Sequence, residues 1–400
     1  MSIRISSANR FDSTIASMQQ RQSDLTQAQL QLSSGKRIAQ PSDDPTGAAR
    51  AERAYIAQQR IDGLQRSVAT SRSAMTLAEA ALGSANDILQ SSRDTLVAAG
   101  NGGYGPGERA ALVSQLQQFR SQLLSVANQT DGAGGYIFGG QGSTGEPFVD
   151  GVGGVTFAGT AGQTGLSAIE QVPTTVDGQA IWLNARTGNG VFQSAAAPSN
   201  TGRSWIDAGG VSNPAALTGS SYDIVFSVSG GSTTYSVLKD GAPTAVAGAA
   251  YHSGSAITID GQSLHVSGQP ADADSFSLTP STPSLDPFTA LTHAMAALAN
   301  PSANSGQLSQ AVSNGLRDLD AVMSQVQTAR SQSGAALNRL DQMEQRNRDK
   351  SLWAKTVESN AEDVDMVQAV SEFQRKQTSY SAALQSYALV QRMSLFDYLK

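Results

Sequence analysis

The sequence predicts a multidomain α protein with an inserted all-β domain: a terminal coiled coil, a long-helix bundle, and a β-rich, sandwich-like insertion. Three observations carry this expectation. Both arms of the 400-residue chain keep apolar residues in steps of three and four, the middle changes to a period of two, and the basic residues almost vanish there. Of 27 Lys and Arg, only Arg186, Arg203 and Lys239 fall between 139 and 285, which marks that stretch as a separate region.

The first element is a helix. Phe11, Ile15, Met18, Gln22, Leu25, Gln29 and Leu32 alternate steps of four and three, the signature of a coiled-coil strand, with glutamines lowering stability but helping to set register. The segment SGKRIAQPSDDP interrupts it. Gly35 stops the helix, and Pro41 biases Gln40 away from helical angles. Asp44 is placed to cap the next helix, with Pro45 at its first position. That helix carries one unbroken seam, Ile61, Leu64, Val68, Ser71, Met75, Ala78, Leu82, Ala85, Leu89, Ser92, Leu96 and Ala99. At 1.5 Å per residue the seam makes a rod of roughly 60 Å, and its Ser and Ala positions let a partner helix approach closely.

GNGGYGPG follows a helix rather than a strand, so its glycine pattern reads as a helix-to-helix turn and not a dinucleotide site. A second helix is expected from about Glu108 to Asn128. Beyond it the pattern becomes β. SYDIVFSV puts Tyr222, Ile224, Phe226 and Val228 on one face, and Asp-Gly at 150–151, 177–178, 240–241 and 260–261 predicts hairpin turns. TVDGQAIWL and TIDGQSLHV are read as the same hairpin chemistry. Past this region Val312, Leu316, Leu319, Met323, Val326, Leu337 and Leu340 resume a heptad phase, so the chain is expected to return to the bundle it left. Ser359 and Glu362 form an expected capping box before the last helix, whose seam is Met366, Val370, Phe373, Gln377, Tyr380, Leu384 and Tyr387. The expected domains are 1–40 with 362–400 (coiled coil), 41–138 with 286–361 (bundle with a β-hairpin), and 139–285 (outer β-rich domain).

Chemistry is sparse. The chain has no cysteine, which excludes disulfides and a thiol nucleophile, and its formal net charge of -6 points to neither nucleic acid nor an anionic membrane. His252, His265 and His293 do not stand in metal-ligand spacing. Ser33 to Lys36 fits S-x-x-K but lacks the companion motifs of a β-lactamase-like site. Trp182 and Trp205 are expected as core anchors rather than sugar platforms. No catalytic residue, cofactor or metal is expected, and no apolar run is long enough to cross a membrane. The opening MSIRISSANRFDS lacks the apolar stretch of a cleaved secretory signal.

What stands out is the apolar character of the two ends. The expected assembly surface comprises Phe11, Ile15, Met18, Leu25 and Leu32 of the first helix, with Met366, Val370, Phe373, Tyr380, Leu384 and Tyr387 of the last. Leu395, Phe396, Tyr398 and Leu399 complete it, to be covered by neighbouring copies.

LSSGKRIAQPSDDPTGAARA at 32–51 resembles the N-terminal signature of flagellin-class axial proteins, and its Pro-Ser-Asp-Asp-Pro form is closer to the hook-associated branch than to flagellin. LLSVANQTDGAGGYIFGGQGSTGEPF, ARSQSGAALNRLD, SNAEDVDM and the closing SLFDYL resemble the same family in the same order, and ADADSFSLTP resembles a segment of its inserted domains. The resemblance implies a non-enzymatic subunit of the extracellular bacterial flagellum. Copies would form a homo-oligomer ring at the hook-filament junction, between a hook-side junction protein and flagellin. The terminal coiled coil would line the inner core, the bundle the tube wall. It also implies type III export without a cleaved signal and a cytoplasmic export chaperone that binds the C-terminal segment. Flagellin itself and a type III secreted adhesin using the β region are the alternatives.

Overall fold

The computed structural model describes the backbone of residues 7–165 and 173–398, and the side chains of residues 12–165 and 173–389. Its helices are α1 (Ser7–Ser34), α2 (Pro45–Ala99), α3 (Pro106–Ala127), α4 (Gly178–Trp182), α5 (Pro287–Ala299), α6 (Ser305–Glu362) and α7 (Met366–Tyr398). The chain divides into two compact units, one from residues 1–66 and 343–400, the other from 67–342.

In the first unit α1 packs along α7. Gly35, at φ +69°, takes the left-handed conformation that ends a helix at little cost, and its N–H donates to the Gln31 carbonyl at 2.9 Å. Many of the buried side chains here are small, Ala28, Ala51, Ala54, Ala354, Ala361 and Ala369, beside the larger Ile38, Ile61, Met343 and Asn347. Small residues let helix backbones approach closely, at the expense of apolar area.

The second unit holds the middle of the chain. Within it the α2 seam is realised: Val68, Ser71, Met75, Ala78, Leu82, Ala85, Leu89, Ser92, Leu96 and Ala99 are all buried. α6 runs antiparallel to α2, as ion pairs Arg72–Asp341, Glu79–Arg330 and Arg93–Asp320 show by their opposed numbering. On α6 the expected phase needs correction. Leu319, Val326 and Leu340 are buried, but the alternate positions are Val322, Ala329 and Ser333, while Met323 and Leu337 are only half-buried. The heptad takes the step of three where the larger residues had suggested four, turning a small side chain toward the neighbour.

The β region begins with a hairpin, β1 (Phe148–Gly151) and β2 (Gly154–Phe157), whose turn is Val152-Gly153 rather than the expected Asp150-Gly151. Asp177-Gly178 is not a turn either. Asp177 caps α4, its carboxylate accepting from the Ala180 N–H at 3.2 Å, so TVDGQAIWL becomes a short helix while TIDGQSLHV becomes a hairpin. Gly178 is required there because a Cβ would lie 2.1 Å from the Phe138 carbonyl oxygen.

The remaining strands are β3 (Ala185–Arg186), β4 (Phe192–Ala196), β5 (Trp205–Ile206), β6 (Gly210–Val211), β7 (Tyr222–Ser229), β8 (Ser232–Lys239), β9 (Ala242–Pro243), β10 (Ala249–Ala250), β11 (Ala256–Ile259), β12 (Gln262–Ser267), β13 (Ser275–Pro280) and β14 (Pro283–Leu285). One antiparallel sheet runs β10-β8-β7-β13-β4 with β9 beside β8, and a second runs β11-β12-β5 with β6 on β12. Asp240-Gly241 and Asp260-Gly261 make the expected turns, with φ of +50° and +82°, and +42° and +81°. The two sheets share one core, with Phe192, Tyr222, Ile224, Phe226, Val237, Phe276 and Leu278 from one and Ile206, Ile257, Ile259, Leu264 and Val266 from the other. That is a sandwich. Val228, the last residue of the expected inward face, is exposed at the hairpin end.

α6 fastens this sandwich. The buried Gln310 side chain accepts from the Ile206 N–H at 2.8 Å and donates to the Ile206 carbonyl at 3.2 Å, and Arg317 Nη1 donates to the Ser194 carbonyl at 2.7 Å. A Cβ on Gly306 would sit 2.5 Å from the Arg203 carbonyl carbon, so only glycine allows this approach.

Candidate functional site

The residues predicted to matter lie on α1 and α7, and the structure decides which way each turns. Met18, Leu25 and Leu32 on α1, and Phe373, Tyr380 and Tyr387 on α7, are half-buried. Ile15, Gln22 and Gln29, and equally Val370, Gln377 and Leu384, are exposed. The alternate positions of the contact stripe are instead Ala28 and Ala369, at 4% and 8% exposure, and a crevice along the pair is walled by Thr14, Ser17, Met18 and Arg21 against Ser379, Ala382, Ala383 and Tyr387. On both helices the contact stripe thus departs from the expected phase by one residue at the alternate positions only. Small residues face the partner helix, and the glutamines lie on the surface rather than in the seam.

The consequence is a pair with an uncovered apolar side. Ile15, Val370 and Leu384 are 38%, 40% and 41% exposed, with Met366 at 49%, Leu30 at 55%, Leu389 at 61% and Val367 at 82%. The expected contributions of Phe11, Leu395, Phe396, Tyr398 and Leu399 lie outside the residues whose side chains are described.

The break between terminal pair and the neighbouring helices is built from the SGKRIAQPSDDP segment. Lys36 and Asp363 form an antiparallel bridge; the Arg37 N–H donates to the Glu362 carbonyl at 2.6 Å, and the Val364 N–H to the Gly35 carbonyl at 3.0 Å. Arg37 Nη2 reaches the Ala361 carbonyl at 2.7 Å and Asp44 Oδ2 at 3.1 Å, while the Lys36 ammonium pairs with Glu362. Glu362 thereby holds the Lys36 ammonium above its usual range. The two adjacent aspartates divide the remaining donors. Asp43 Oδ2 accepts from the Ala39 and Gln40 N–H groups at 3.0 and 2.9 Å, and Asp44 Oδ1 from the Gly47 N–H at 2.9 Å and the Thr46 hydroxyl at 2.9 Å. The Gly47 N–H, then Thr46 and Arg37, bring the Asp44 carboxyl down to about 2.

On the far side the capping box does not form. α6 continues through Ser359 and Glu362, Ser359 donates to Asp363, and Asp365 caps α7 by accepting from the Val367 and Gln368 N–H groups at 2.9 and 3.2 Å. Aspartate after a break is as good a signal as the serine, and SNAEDVDM contains both.

Elsewhere, Trp182 is fully buried against Phe138, Phe148 and Phe288, and Trp205 is half-buried in β5. Trp182 therefore belongs to the aromatic core around α4 and not to a surface platform. His252, His265 and His293 are exposed and separate, His265 Nδ1 lying 2.9 Å from Asp207. Among the described residues no three His, Cys, Asp or Glu gather as metal ligands, and no helix is long and apolar enough to cross a membrane.

Comparison with known proteins agrees with this geometry. The bacterial flagellin N-terminal helical region matches residues 5–143, and the C-terminal helical region matches residues 316–399. Flagellar hook-associated protein 3 of Salmonella typhimurium is 34% identical over 154 residues, which is 38% of this chain and 48% of that protein. The protein of the same name from Escherichia coli is 34% identical over 166 residues, 41% of this chain and 49% of that one. The chain thus spans about half the length of the curated relatives it matches. Among solved structures, flagellar hook-associated protein 3 of Legionella pneumophila superposes with a TM-score of 0.70 at 25% identity, over 76% of this chain and 97% of that one. FlgL of Xanthomonas campestris gives 0.65 at 27%, over 71% and 93%. With flagellin regions at both ends, covering more than half of its residues, and hook-associated proteins as structural neighbours, the chain belongs to the flagellin-like family of axial proteins.

Proposed function

We propose that this protein is the subunit of the junction layer between the flagellar hook and the flagellin filament, a structural protein that works by complementary assembly and not by catalysis. The observation that carries the reading is the uncovered apolar side of the α1/α7 pair. Large side chains such as Ile15, Val370 and Leu384 stand in water on one chain, a condition that packing against further copies relieves. The names of the relatives favour a junction over the bulk filament.

In this reading Ile15, Met18, Leu25, Leu32, Met366, Val370, Phe373, Tyr380, Leu384 and Tyr387, together with Phe11, Leu395, Phe396, Tyr398 and Leu399, form the assembly surface of the inner core. The helical bundle forms the wall, and the β sandwich the outer domain. Copies join in a ring, one side against the hook-side junction protein and the other against flagellin. Export through the flagellar type III route, with a cytoplasmic chaperone on the C-terminal segment, belongs to the same proposal.

Deleting the gene tests it. Cells are expected to keep a hook and to release flagellin monomers into the medium; filaments that form and stay attached would overturn the assignment. Flagellin itself is the second reading, favoured by 30% identity to Listeria monocytogenes flagellin over 107 residues. Unaided growth of the purified protein into long filaments would select it.

A further inference from the structure

The chain contains three Asn-Gly steps, Asn101-Gly102, Asn189-Gly190 and Asn314-Gly315, and the fold treats them differently. We propose that Asn101 is a site of spontaneous self-modification, a deamidation through a succinimide, and that the other two are protected by structure. The chemistry needs only water. The backbone nitrogen of the following glycine loses its proton and attacks the side-chain amide carbon; a C–N bond forms, the bond to the amide nitrogen breaks, and ammonia leaves. Water then opens the five-membered ring at either carbonyl, giving aspartate or isoaspartate.

Three requirements follow: a free nucleophilic nitrogen, room for the ring, and an activated side-chain carbonyl. Asn101 meets all three. It lies in the exposed turn between α2 and α3, and the Gly102 N–H has no acceptor among the described residues. A Cβ built on Gly102 would meet nothing within 4 Å, so the backbone there is open. The Gly103 N–H donates to Asn101 Oδ1 at 3.1 Å, which stabilises the negative charge that develops on this oxygen during attack. No contact holds the departing amide nitrogen among the described residues.

Asn189 fails the first requirement. The Gly190 N–H is committed to the Thr187 carbonyl at 3.3 Å, and the Asn189 side chain is pinned by the Val191 and Phe192 N–H groups, both at 3.0 Å, and by its own donation to the Gly209 carbonyl at 3.3 Å. Asn314 fails on room. It sits inside α6, Gly315 is buried, and a Cβ there would already be 2.8 Å from a Leu96 methyl.

The test is peptide mapping by mass spectrometry of the full-length folded protein after incubation in warm, mildly alkaline buffer, beside a sample kept in denaturant. In the folded protein the gain of one mass unit is expected at Asn101 about tenfold faster than at Asn189 or Asn314, because only there is the near-attack geometry accessible. In denaturant the three should converge. Asn101→Gln should remove the folded-state signal, and Gly102→Ala should slow it without changing the melting temperature. Equal rates at the three sites in the folded protein, or an Asn101 that stays intact while the denatured sample reacts, would overturn the proposal.

Discussion

Asp43 and Asp44 are neighbours in sequence with different tasks, one closing the loop at Ala39 and Gln40 and the other capping α2. Asp44 was legible in the sequence because an aspartate before proline at a helix start has a local physical role. The role of Asp43 was not, since its partners are fixed only when the loop closes. Because the Asp44 carboxyl is held low, at about 2, the stability it contributes is fully present above the ordinary carboxylate pKa and is lost as pH falls from there through about 2. Asp44→Asn should therefore flatten the acid limb of the thermal stability profile between the ordinary carboxylate range and a pH of about 2, measured by circular dichroism. Gly47→Ala should lower the melting temperature at every pH, because its Cβ would come within 2.6 Å of the Asp44 carboxylate and of Ile38. An unchanged melt would show that the loop moves aside.

At the scale of elements, the α2 seam was readable residue by residue from Val68 to Ala99, with Leu64 before it only half-buried, whereas those of α1, α6 and α7 were off by one position at alternate sites. A heptad leaves two choices, three-then-four or four-then-three, and the larger side chain is a poor guide when helices approach closely on alanine and serine. Leu89, fully buried, and Leu337, half-buried, sit on the correct and the misread side of this distinction. Leu89→Ala should cost about 3 kcal/mol and Leu337→Ala less than half of that, read by denaturant titration. Likewise the Asp-Gly steps are ambiguous: the same three residues, Asp-Gly-Gln, turn a hairpin at 260 and start a helix at 177. Neighbouring strands decide which, and those come from elsewhere in the chain. Gln310→Leu should destabilise by about 2 kcal/mol, because it leaves the buried N–H and carbonyl of Ile206 without partners. A neutral result would mean that the sandwich is not fastened through Gln310.

For the whole molecule, the exposed apolar side of the terminal pair separates folding from assembly. The double change Ile15→Ser and Leu384→Ser is expected to lower monomer stability by about 2 kcal/mol and leave the monomer folded, since both side chains are only partly covered on one chain. The same variant should abolish motility and leave flagellin in the medium. If it swims normally, the terminal pair is not the assembly surface. The sequence by itself determined the helical arms, the β insertion, the start of α2 and the family, because each of these rests on local periodicity, on capping chemistry, or on motifs in fixed order. Which face of each terminal helix meets its partner, which Asp-Gly step turns, and how Gln310 and Arg317 clasp the sandwich were decided only in three dimensions. Those outcomes depend on close approach between segments far apart in the chain, where one missing Cβ or one buried carbonyl outweighs any local preference.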